Sequence, residues 1–209
     1  MPLDPKFTKF STASPILISY GFTDIADGTG KVKFYLIQGA SKMISDQVLY
    51  SPTIEEYRTT SSGEFILIAT SDYDLQPFNT LRVVNGSAIY EVGCWQRSSS
   101  GAGRGRIIIK VVHYDGNDET ILGTSTIFDI NSGSTVSQVR TGTIPLTRKV
   151  FRKGDILRLK VEFWGNGTTG EKQIAMGTDP INRDGTKIIP STQDNITKSS
   201  VYIPFEILE

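Results

Sequence analysis

The sequence predicts an all-β fold in which an extended N-terminal arm precedes one antiparallel β-sandwich or barrel. About ten to twelve segments with strand patterning follow one another at short spacing, with turn residues between them. Thr, Val, Ile, Tyr and Phe are plentiful in these segments, and no amphipathic helix of useful length is predicted. Because no repeat or shift of composition marks a second domain, we expect an arm over residues 1–14 and one domain over 15–209.

The clearest predicted strand lies in the stretch FRKGDILRLKVEFW at 151–164. Its apolar residues alternate with charged ones, which is the period-two pattern of a half-buried antiparallel strand. The residues predicted to face inward are Leu157, Leu159, Val161 and Phe163. We expect a tight turn at Lys153, Gly154 and Asp155, because Gly tolerates unusual φ angles and Asp can hydrogen-bond the turn backbone.

Other strands are predicted in order along the chain. They cover residues 15–22, 31–38, 46–50, 65–70, 80–84, 87–95, 106–114, 120–128, 136–144, 146–151, 173–176 and 200–208. The run FILIAT at 65–70 is continuously apolar, which is consistent with a strand covered on both faces. Asn85-Gly86 stands between two apolar runs and predicts a hairpin turn.

Two segments break this succession of strands. Residues 53–57 are the only plausible helical turn, with Thr53 as its cap and two glutamates near its start. Residues 177–195 are predicted to form a long irregular loop, and loops of that length are typically functional or part of an interface.

Charge and cysteine content narrow the functional classes. Lys plus Arg and Asp plus Glu both number 22, so the formal net charge is zero. Surfaces that bind nucleic acid or anionic membranes normally show a basic excess, so we expect neither partner, whereas a neutral protein suits an assembly. Cys94 is the only cysteine and alternates with Ala88, Tyr90 and Val92, which favours a small buried side chain over a catalytic thiol.

The N-terminal stretch MPLDPKFTKFSTASP lacks the apolar core and cleavage site of a signal peptide. No run approaches the roughly 18 apolar residues of a membrane helix. The expectation is therefore a protein made in the host cytoplasm as it stands, which reaches the outside by another route such as release with a virus particle. Phe7 and Phe10 would anchor the arm if it lies across a neighbouring subunit.

Residues suited to catalysis or to metal binding are few. His113 is the only histidine, and it shares a predicted face with apolar residues at the end of a strand, which favours a rim or core-edge role over a catalytic base. One His and one Cys do not supply a zinc site, and no cofactor is expected. The acid pairs Asp72–Asp74 and Asp179–Asp184 are explained by turn chemistry, with calcium binding and glycoside hydrolysis as less favoured alternatives.

Two further motifs have simple explanations. The sequence GAGRGR at 101–106 lacks the Gly-Lys-Ser/Thr ending of a phosphate loop and leads into a strand, so it is interpreted as a flexible loop with two cations. The three Asn-x-Ser/Thr sequons, at Asn85, Asn166 and Asn195, are interpreted as turn chemistry.

Aromatic side chains are the strongest candidates for binding. By alternation, Trp95 should point away from Cys94, and Trp164 should point away from Phe163. Such rings can belong to the core, can anchor a subunit interface or can stack on sugar rings, and the sequence leaves all three alternatives open. The further candidates are Tyr35, Tyr73, Tyr114 and Tyr202.

Two family resemblances follow from these segments. The pattern apolar-x-x-Gly-Asp-x-Leu-x-Leu-x-Val around 154–161 resembles the late strand of trimeric jelly-roll domains of the tumour-necrosis-factor and C1q kind. Over most of the chain, the sequence is similar to auxiliary capsid proteins of tailed bacteriophages, the decoration or cement class. This second resemblance rests on ILISYGFTDIADGTGKVKFYL at 16–36, on the Gly-Asp strand and on VYIPFEIL at 201–208. It implies a jelly roll, trimeric clustering on a capsid lattice and no cofactor.

The resulting hypothesis is a structural virion protein, not an enzyme, that decorates and stabilises a phage capsid. Its partners would be the major capsid protein or other virion proteins, together with copies of itself in a trimer, and several weak contacts would sum to tight binding. A carbohydrate-binding module of a virion fibre, with a host glycan as ligand, is the alternative, and a C1q-like ligand is disfavoured by the missing export signal. The candidate interface residues are Phe7, Phe10, Trp95, Trp164, Asp179, Asn182 and Arg183.

Overall fold

The computed structural model describes residues 29–39, 41–49, 51, 54–59, 62–98, 104–130, 138–167, 172–181 and 198–206. Eight strands form the body of the fold: β1 (Thr29–Gln38), β4 (Ser62–Asp74), β5 (Arg82–Ser98), β6 (Arg104–Tyr114), β7 (Glu119–Thr124), β9 (Gln138–Phe151), β10 (Ile156–Gly167) and β12 (Ser199–Glu206). Four shorter strands extend it: β2 (Lys42–Ser45), β3 (Ile54–Thr59), β8 (Phe128–Ile130) and β11 (Lys172–Gly177).

The strand pairing has the topology of a jelly roll. One layer runs β1-β12-β5-β9 and the other runs β4-β10-β6-β7. The antiparallel pairs β1–β12, β4–β10, β5–β9 and β6–β7 join strands as in a long hairpin rolled into two layers. β2 pairs with β1 and meets β4 through one parallel bridge, so it joins the two layers at one edge. The predicted all-β jelly-roll sandwich is confirmed.

The core lies between the inner faces of the two layers. All four residues of the 151–164 stretch that were predicted to face inward are fully buried, and so is Cys94, as its alternation predicted. The turn before β10 is also confirmed, because Gly154 has a φ of 98° and the backbone N–H of Arg152 donates to Asp155 Oδ2. One apolar cluster contains inward residues of both layers, including Val32, Phe34, Leu36, Ala88, Tyr90, Val92, Ile107, Ile109, Val111, Ile144, Leu157, Leu159, Val161, Phe163, Val201 and Ile203.

The predicted hairpin at Asn85-Gly86 is wrong, because β5 continues through both residues. Gly86 has a φ of 106°, and the register with β9 shifts between Val84 and Gly86, which makes this site a bulge within one strand. Since β5 pairs with β9 on one edge and with β12 on the other, these two neighbouring strands keep it continuous. The Asn85 side chain donates to Glu206 Oε1 at 2.9 Å, which ties the bulge to β12.

Other boundary predictions also differ from the structure. The expected helical turn at 53–57 is wrong for its described part, because residues 54–57 belong to β3 and pair with β11. The short strand expected at 46–50 is found earlier, as β2, and the two segments at 136–144 and 146–151 form one strand, β9. β4 is not covered on both faces, because Ile66 and Leu67 are 40% and 46% exposed. The arm over 1–14 and the strand at 15–22 lie outside the described residues, and the domain boundary stays a prediction.

Candidate functional site

The outer face of the β1-β12-β5-β9 layer, which we call the charge-poor face, is the first candidate contact surface. The registers place on it Lys31, Lys33 and Tyr35 of β1, Ser200, Tyr202, Pro204 and Glu206 of β12, Ser87, Ile89, Glu91 and Gly93 of β5, and Val139, Thr141, Thr143 and Pro145 of β9. Four of these 15 positions are charged, and Glu206 is paired with Arg148. Gly93, Ser200 and Pro204 are buried, so 12 positions contribute to the surface. Ile89 is 36% exposed and Val139 is 39% exposed, so aliphatic surface reaches solvent here.

Lys33 lies in the centre of the charge-poor face, beside two tyrosine rings. Its Nζ is 5.2 Å from the ring centroid of Tyr35 and 4.9 Å from that of Tyr202. Burial acts to lower the pKa of Lys33, but hydrogen bonding to Tyr202 and the nearby Glu91 outweigh it and raise that pKa. The cation is thus held against rings, which is an arrangement that partners with apolar and aromatic side chains can cover at modest desolvation cost.

The outer face of the β4-β10-β6-β7 layer, which we call the ion-paired face, has a different composition. The registers place on it Leu67, Thr70, Asp72 and Asp74 of β4, Arg158, Lys160, Glu162 and Trp164 of β10, Arg106, Ile108, Lys110 and Val112 of β6, Ile121 and Thr124 of β7, and Asp129 of β8. Eight of these 15 side chains are charged. Val112 is nevertheless fully buried on this outer side, which fits coverage by the long stems of neighbouring charged residues.

Arg158 connects the charges of the ion-paired face. It makes two hydrogen bonds to the carboxylate of Asp74, at 2.6 and 2.8 Å, and approaches Asp72 at 3.3 Å. It also donates to Glu119 at 2.6 Å, and Lys160 pairs with the other oxygen of that carboxylate. The hydrogen bond from Lys160, with that from Arg158, lowers the pKa of Glu119 despite its partial burial. Each of these charges has an opposite charge within 4 Å on another strand, so the chain itself engages the charges of this face.

An aromatic cluster lies at one end of the ion-paired face. The Trp164 indole N–H donates to Glu162 Oε2 at 3.1 Å, and Glu162 is also paired with Lys110, so the ring orientation is fixed. The Arg106 guanidinium lies 3.4 Å from the ring centroid of Phe65 and bonds Asp129 at 2.5 Å. Together with the exposed Leu67, these rings form a small platform.

His113 forms a buried pair with Asp155 at the end of the sandwich. Its Nε2 lies 2.7 Å from Asp155 Oδ2, and its ring packs edge-on against Phe151 with centroids 4.7 Å apart. Burial acts to raise the pKa of Asp155, but the hydrogen bonds from His113 and Arg152 outweigh it and lower that pKa. Among the described residues, no hydroxyl or thiol bonds to His113. The pair therefore joins β6 to the turn before β10, as the predicted core-edge role requires.

The remaining candidates for chemistry are accounted for by packing and pairing. Asp72 and Asp74 both contact Arg158, and Asp179 is buried and accepts the Ile181 backbone N–H at 3.2 Å. Burial raises the pKa of the Cys94 thiol to about 12, which keeps it protonated. Within the described ranges, no three His, Cys, Asp or Glu side chains gather closely enough to hold a metal ion. No helix of that part of the chain could span a membrane.

The predicted interface residues differ in how far they are buried. Trp164 is half-buried on the ion-paired face and keeps surface for a partner, whereas Trp95 is only 3% exposed and leaves almost none. Tyr73 belongs to the apolar core cluster, and Asp179 is buried. The other predicted interface residues lie outside the described ranges, so their roles stay predictions: Phe7, Phe10, Asn182 and Arg183.

Sequence reasoning missed the charge-poor face. Tyr35 and Tyr202 were candidates as separate aromatics, but their meeting at Lys33 depends on the register between β1 and β12. The available signal was the low charge of the outward positions in β5 and β9, which are mainly Ser, Thr, Gly and Pro with a few aliphatic residues. That signal emerges only when the two strands are known to be neighbours.

Comparisons with known proteins found similar folds but no family. No protein-family model matches the sequence, and no curated protein matches it. An α-amino acid ester hydrolase labelled with selenomethionine has a similar fold, with a TM-score of 0.58 at 11% identity over 82% of this chain and 36% of that chain. An aminopeptidase from the marine sediment archaeon Thaumarchaeota archaeon has a TM-score of 0.56 at 7% identity, over 84% of this chain and 37% of that chain.

These similarities concern the fold alone, because the identities are low and this chain spans little more than a third of either protein. The VP2 subviral particle of infectious bursal disease virus matches with a TM-score of 0.34 at 10% identity, over 88% of this chain and 38% of that chain. A TM-score of that size carries no argument. The chain therefore shares a β-sandwich fold with proteins of different function.

Proposed function

We propose that this chain is a non-catalytic structural protein of a virion, which binds the capsid through its charge-poor face. The composition of that face is the observation that carries the proposal. Interface cores are depleted of charge and enriched in Tyr, and this face has four charged positions in 15 and two tyrosines around its central lysine. The choice of a capsid as partner rests on the resemblance of residues 16–36, 154–163 and 201–208 to phage decoration proteins.

The size of the charge-poor face favours several weak contacts over one strong contact. Strands about 4.8 Å apart with outward residues about every 6.8 Å give each position about 33 Å², so the 12 positions that are not buried cover roughly 400 Å². A standard interface buries about 800 Å² on each partner. One such face would therefore bind weakly, and tight binding would require several copies acting together on a repeating surface. A trimer on a capsid lattice meets that requirement.

Substitution of matched isoleucines on the two faces tests the proposal. Ile89→Lys places a cation in the charge-poor face, and Ile121→Lys, at a 53% exposed position of the ion-paired face, is the control. We expect Ile89→Lys to weaken co-sedimentation with purified capsid shells from the same source at least tenfold, and Ile121→Lys to change it less than twofold. Thermal unfolding should be similar for both variants. Equal binding of the two variants would remove the charge-poor face from the mechanism.

Glycan binding is a second candidate function, favoured by the fixed orientation of Trp164. A ring held by Glu162, beside Arg106 and Asp129, offers both a stacking surface and hydrogen-bonding groups for a sugar. A glycan array with the wild-type chain, Trp164→Phe and Trp164→Ala decides this candidate. Binding that survives in the Phe variant and is lost in the Ala variant supports it, and silence of the wild-type chain with and without calcium eliminates it.

A further inference from the structure

A cleft of about 520 Å³ lies at one end of the sandwich, between β1, β2, the segment 75–80 and the end of β12. Its walls are mainly apolar and aromatic. They include Val32, Phe34, Ile44, Leu75, Phe78 and Phe205. The cleft is separate from both outer faces described above, and its volume falls within the range of about 300–1,000 Å³ typical of ligand sites.

The aromatic wall of the cleft is held in place by hydrogen bonds and ring packing. The Phe78 N–H donates to the Asp155 carbonyl at 3.0 Å, and the Gly154 N–H donates to the Phe78 carbonyl at 2.9 Å. The Phe78 ring packs edge-to-face against Phe151 at 5.2 Å and against Phe205 at 6.1 Å. The cleft is therefore preformed, and its rings suit another aromatic side chain.

The N-terminal segment of the chain reaches the fold at this cleft. Gly30 lines it, and β1 begins at Thr29, so 28 residues precede the strand beside the opening. That segment contains Lys6-Phe7-Thr8-Lys9-Phe10, with two aromatic residues each preceded by a lysine. The 18 residues from 11 to 28 can span up to about 60 Å when extended, which is sufficient to return to the same cleft or to reach that of a neighbour.

We propose that this cleft binds Phe7 or Phe10 of the N-terminal segment of a copy of this chain. An aromatic side chain would complete the edge-to-face packing around Phe78, and burial of the ring would remove the apolar walls from water. The rim carries Asp46, Arg82 and Glu206, and Glu206 is already paired with Arg148, so the aromatic wall and not the rim charge selects the occupant. This site does not use the charge-poor face, so the test of the cleft is independent of the test of capsid binding.

Disulfide trapping in the full-length chain tests this site. Thr8→Cys keeps both phenylalanines, and Asn79→Cys places a thiol on the exposed rim of the cleft. The control pair is Thr8→Cys with Thr124→Cys, an exposed position on the ion-paired face. Cys94 will not compete, because it is buried with a pKa raised to about 12. A disulfide needs the two Cα atoms within about 7 Å, so the rate of formation reports where the segment lies.

We expect the Thr8–Asn79 pair to form a disulfide at least tenfold faster than the Thr8–Thr124 pair under mild oxidation. A product with the mass of one chain would assign the segment to its own cleft, and a product of two chains would assign it to the cleft of a neighbour. Similar rates for the two pairs would overturn the proposal.

A second measurement tests for competing occupants. An environment-sensitive apolar dye should bind at least tenfold more tightly to the Phe7→Ala, Phe10→Ala double variant than to the wild-type chain, because the cleft would then be open. Equal dye binding to both proteins would mean that neither ring occupies the cleft, and would also overturn the proposal.

Discussion

The charge-poor face and the ion-paired face are built on opposite sides of one sandwich and use charge in opposite ways. On the ion-paired face, Arg158 and Lys160 pair with three carboxylates, those of Asp72, Asp74 and Glu119. On the charge-poor face, Lys33 is held by rings, and Thr, Ser, Pro and Ile fill most of the remaining positions. The first face supplies its own partners, whereas the second leaves its surface available.

This difference shows that alternation alone does not identify a contact surface. Strands on both sides follow the same period of two, and the inner residues of both are buried in one core. What distinguishes the faces is whether the outward charges find partners across strands. The following four substitutions compare the two faces with each other and with the contacts between the layers, from the largest expected effect to the smallest.

Removal of Arg158 should cause the largest loss of stability. Arg158→Ala would leave Asp72, Asp74 and Glu119 close together without their shared cation, and the guanidinium is only 14% exposed. We expect the free energy of unfolding in urea to fall by about 2–3 kcal/mol, less than for a fully buried pair because the carboxylates are partly solvated. The exposed Arg148, which pairs with Glu206, is the matched control, and Arg148→Ala should cost much less. Equal losses would mean that the ion-paired face is no more stabilising than an isolated surface pair.

Gly123→Ala tests the edge at which the two layers meet. A Cβ at this position of β7 would lie 2.4 Å from the Pro145 carbonyl oxygen and 2.7 Å from the Ile144 side chain of β9. Because backbone must move to relieve the first contact, we expect a loss of about 2 kcal/mol in urea unfolding. Gly39→Ala, where the nearest atom is an ordinary 3.5 Å away, should have little effect. A neutral Gly123→Ala variant would show that the layers separate easily.

Asp155→Asn tests the His113 pair, which belongs to neither outer face. Loss of the charged acceptor for His113 and the Arg152 N–H should cost about 1–2 kcal/mol near pH 7. The folded pKa of Asp155 is below its ordinary value, so its stabilisation is complete above that value, near pH 4, and is lost as the pH falls through the folded pKa. The difference between wild type and variant should therefore be present at pH 5 and shrink as the pH falls below 4. A difference that grows in acid would contradict this sign.

Lys33→Met should have the smallest effect on stability. The cation loses its contacts with Tyr35 and Tyr202, which are worth about 0.5–1 kcal/mol together, and the apolar replacement recovers part of that by packing. Lys33→Arg should be neutral because the cation is retained. If the charge-poor face is a contact surface, Lys33→Met will bind capsid shells at least as well as wild type. A loss of stability above about 2 kcal/mol would mean that Lys33 stabilises the fold in the way expected of Arg158, and not that it serves a contact surface.

The sequence allowed the inner faces of the strands to be predicted closely. In β10, the alternation of Leu157, Leu159, Val161 and Phe163 was sufficient, because side chains on a strand alternate whatever their neighbours are. Cys94 and His113 were assigned to the core and its edge on the same ground. The turn at Gly154 was also predictable, since a left-handed φ is a local requirement.

Predictions that depended on the partner of a segment were less successful. Asn85-Gly86 has the composition of a hairpin turn, yet β9 and β12 on either side keep β5 continuous and turn the same residues into a bulge. The segment 53–57 has the composition of a helix start, yet residues 54–57 pair with the edge of β11 and form a strand. In both cases a weak local preference was outweighed by several backbone hydrogen bonds to a neighbouring strand.

The sequence by itself determined that this protein is an all-β chain and which side of most strands faces inward, because both follow from short-range periodicity. The tertiary structure alone decided which strands are neighbours, and hence that the outward charges of β4, β10 and β7 meet one another. It also placed Lys33 between two tyrosines and opened the aromatic cleft beside Thr29. The reason is that charge pairing and surface shape depend on residues far apart in the chain, whose proximity no local pattern encodes.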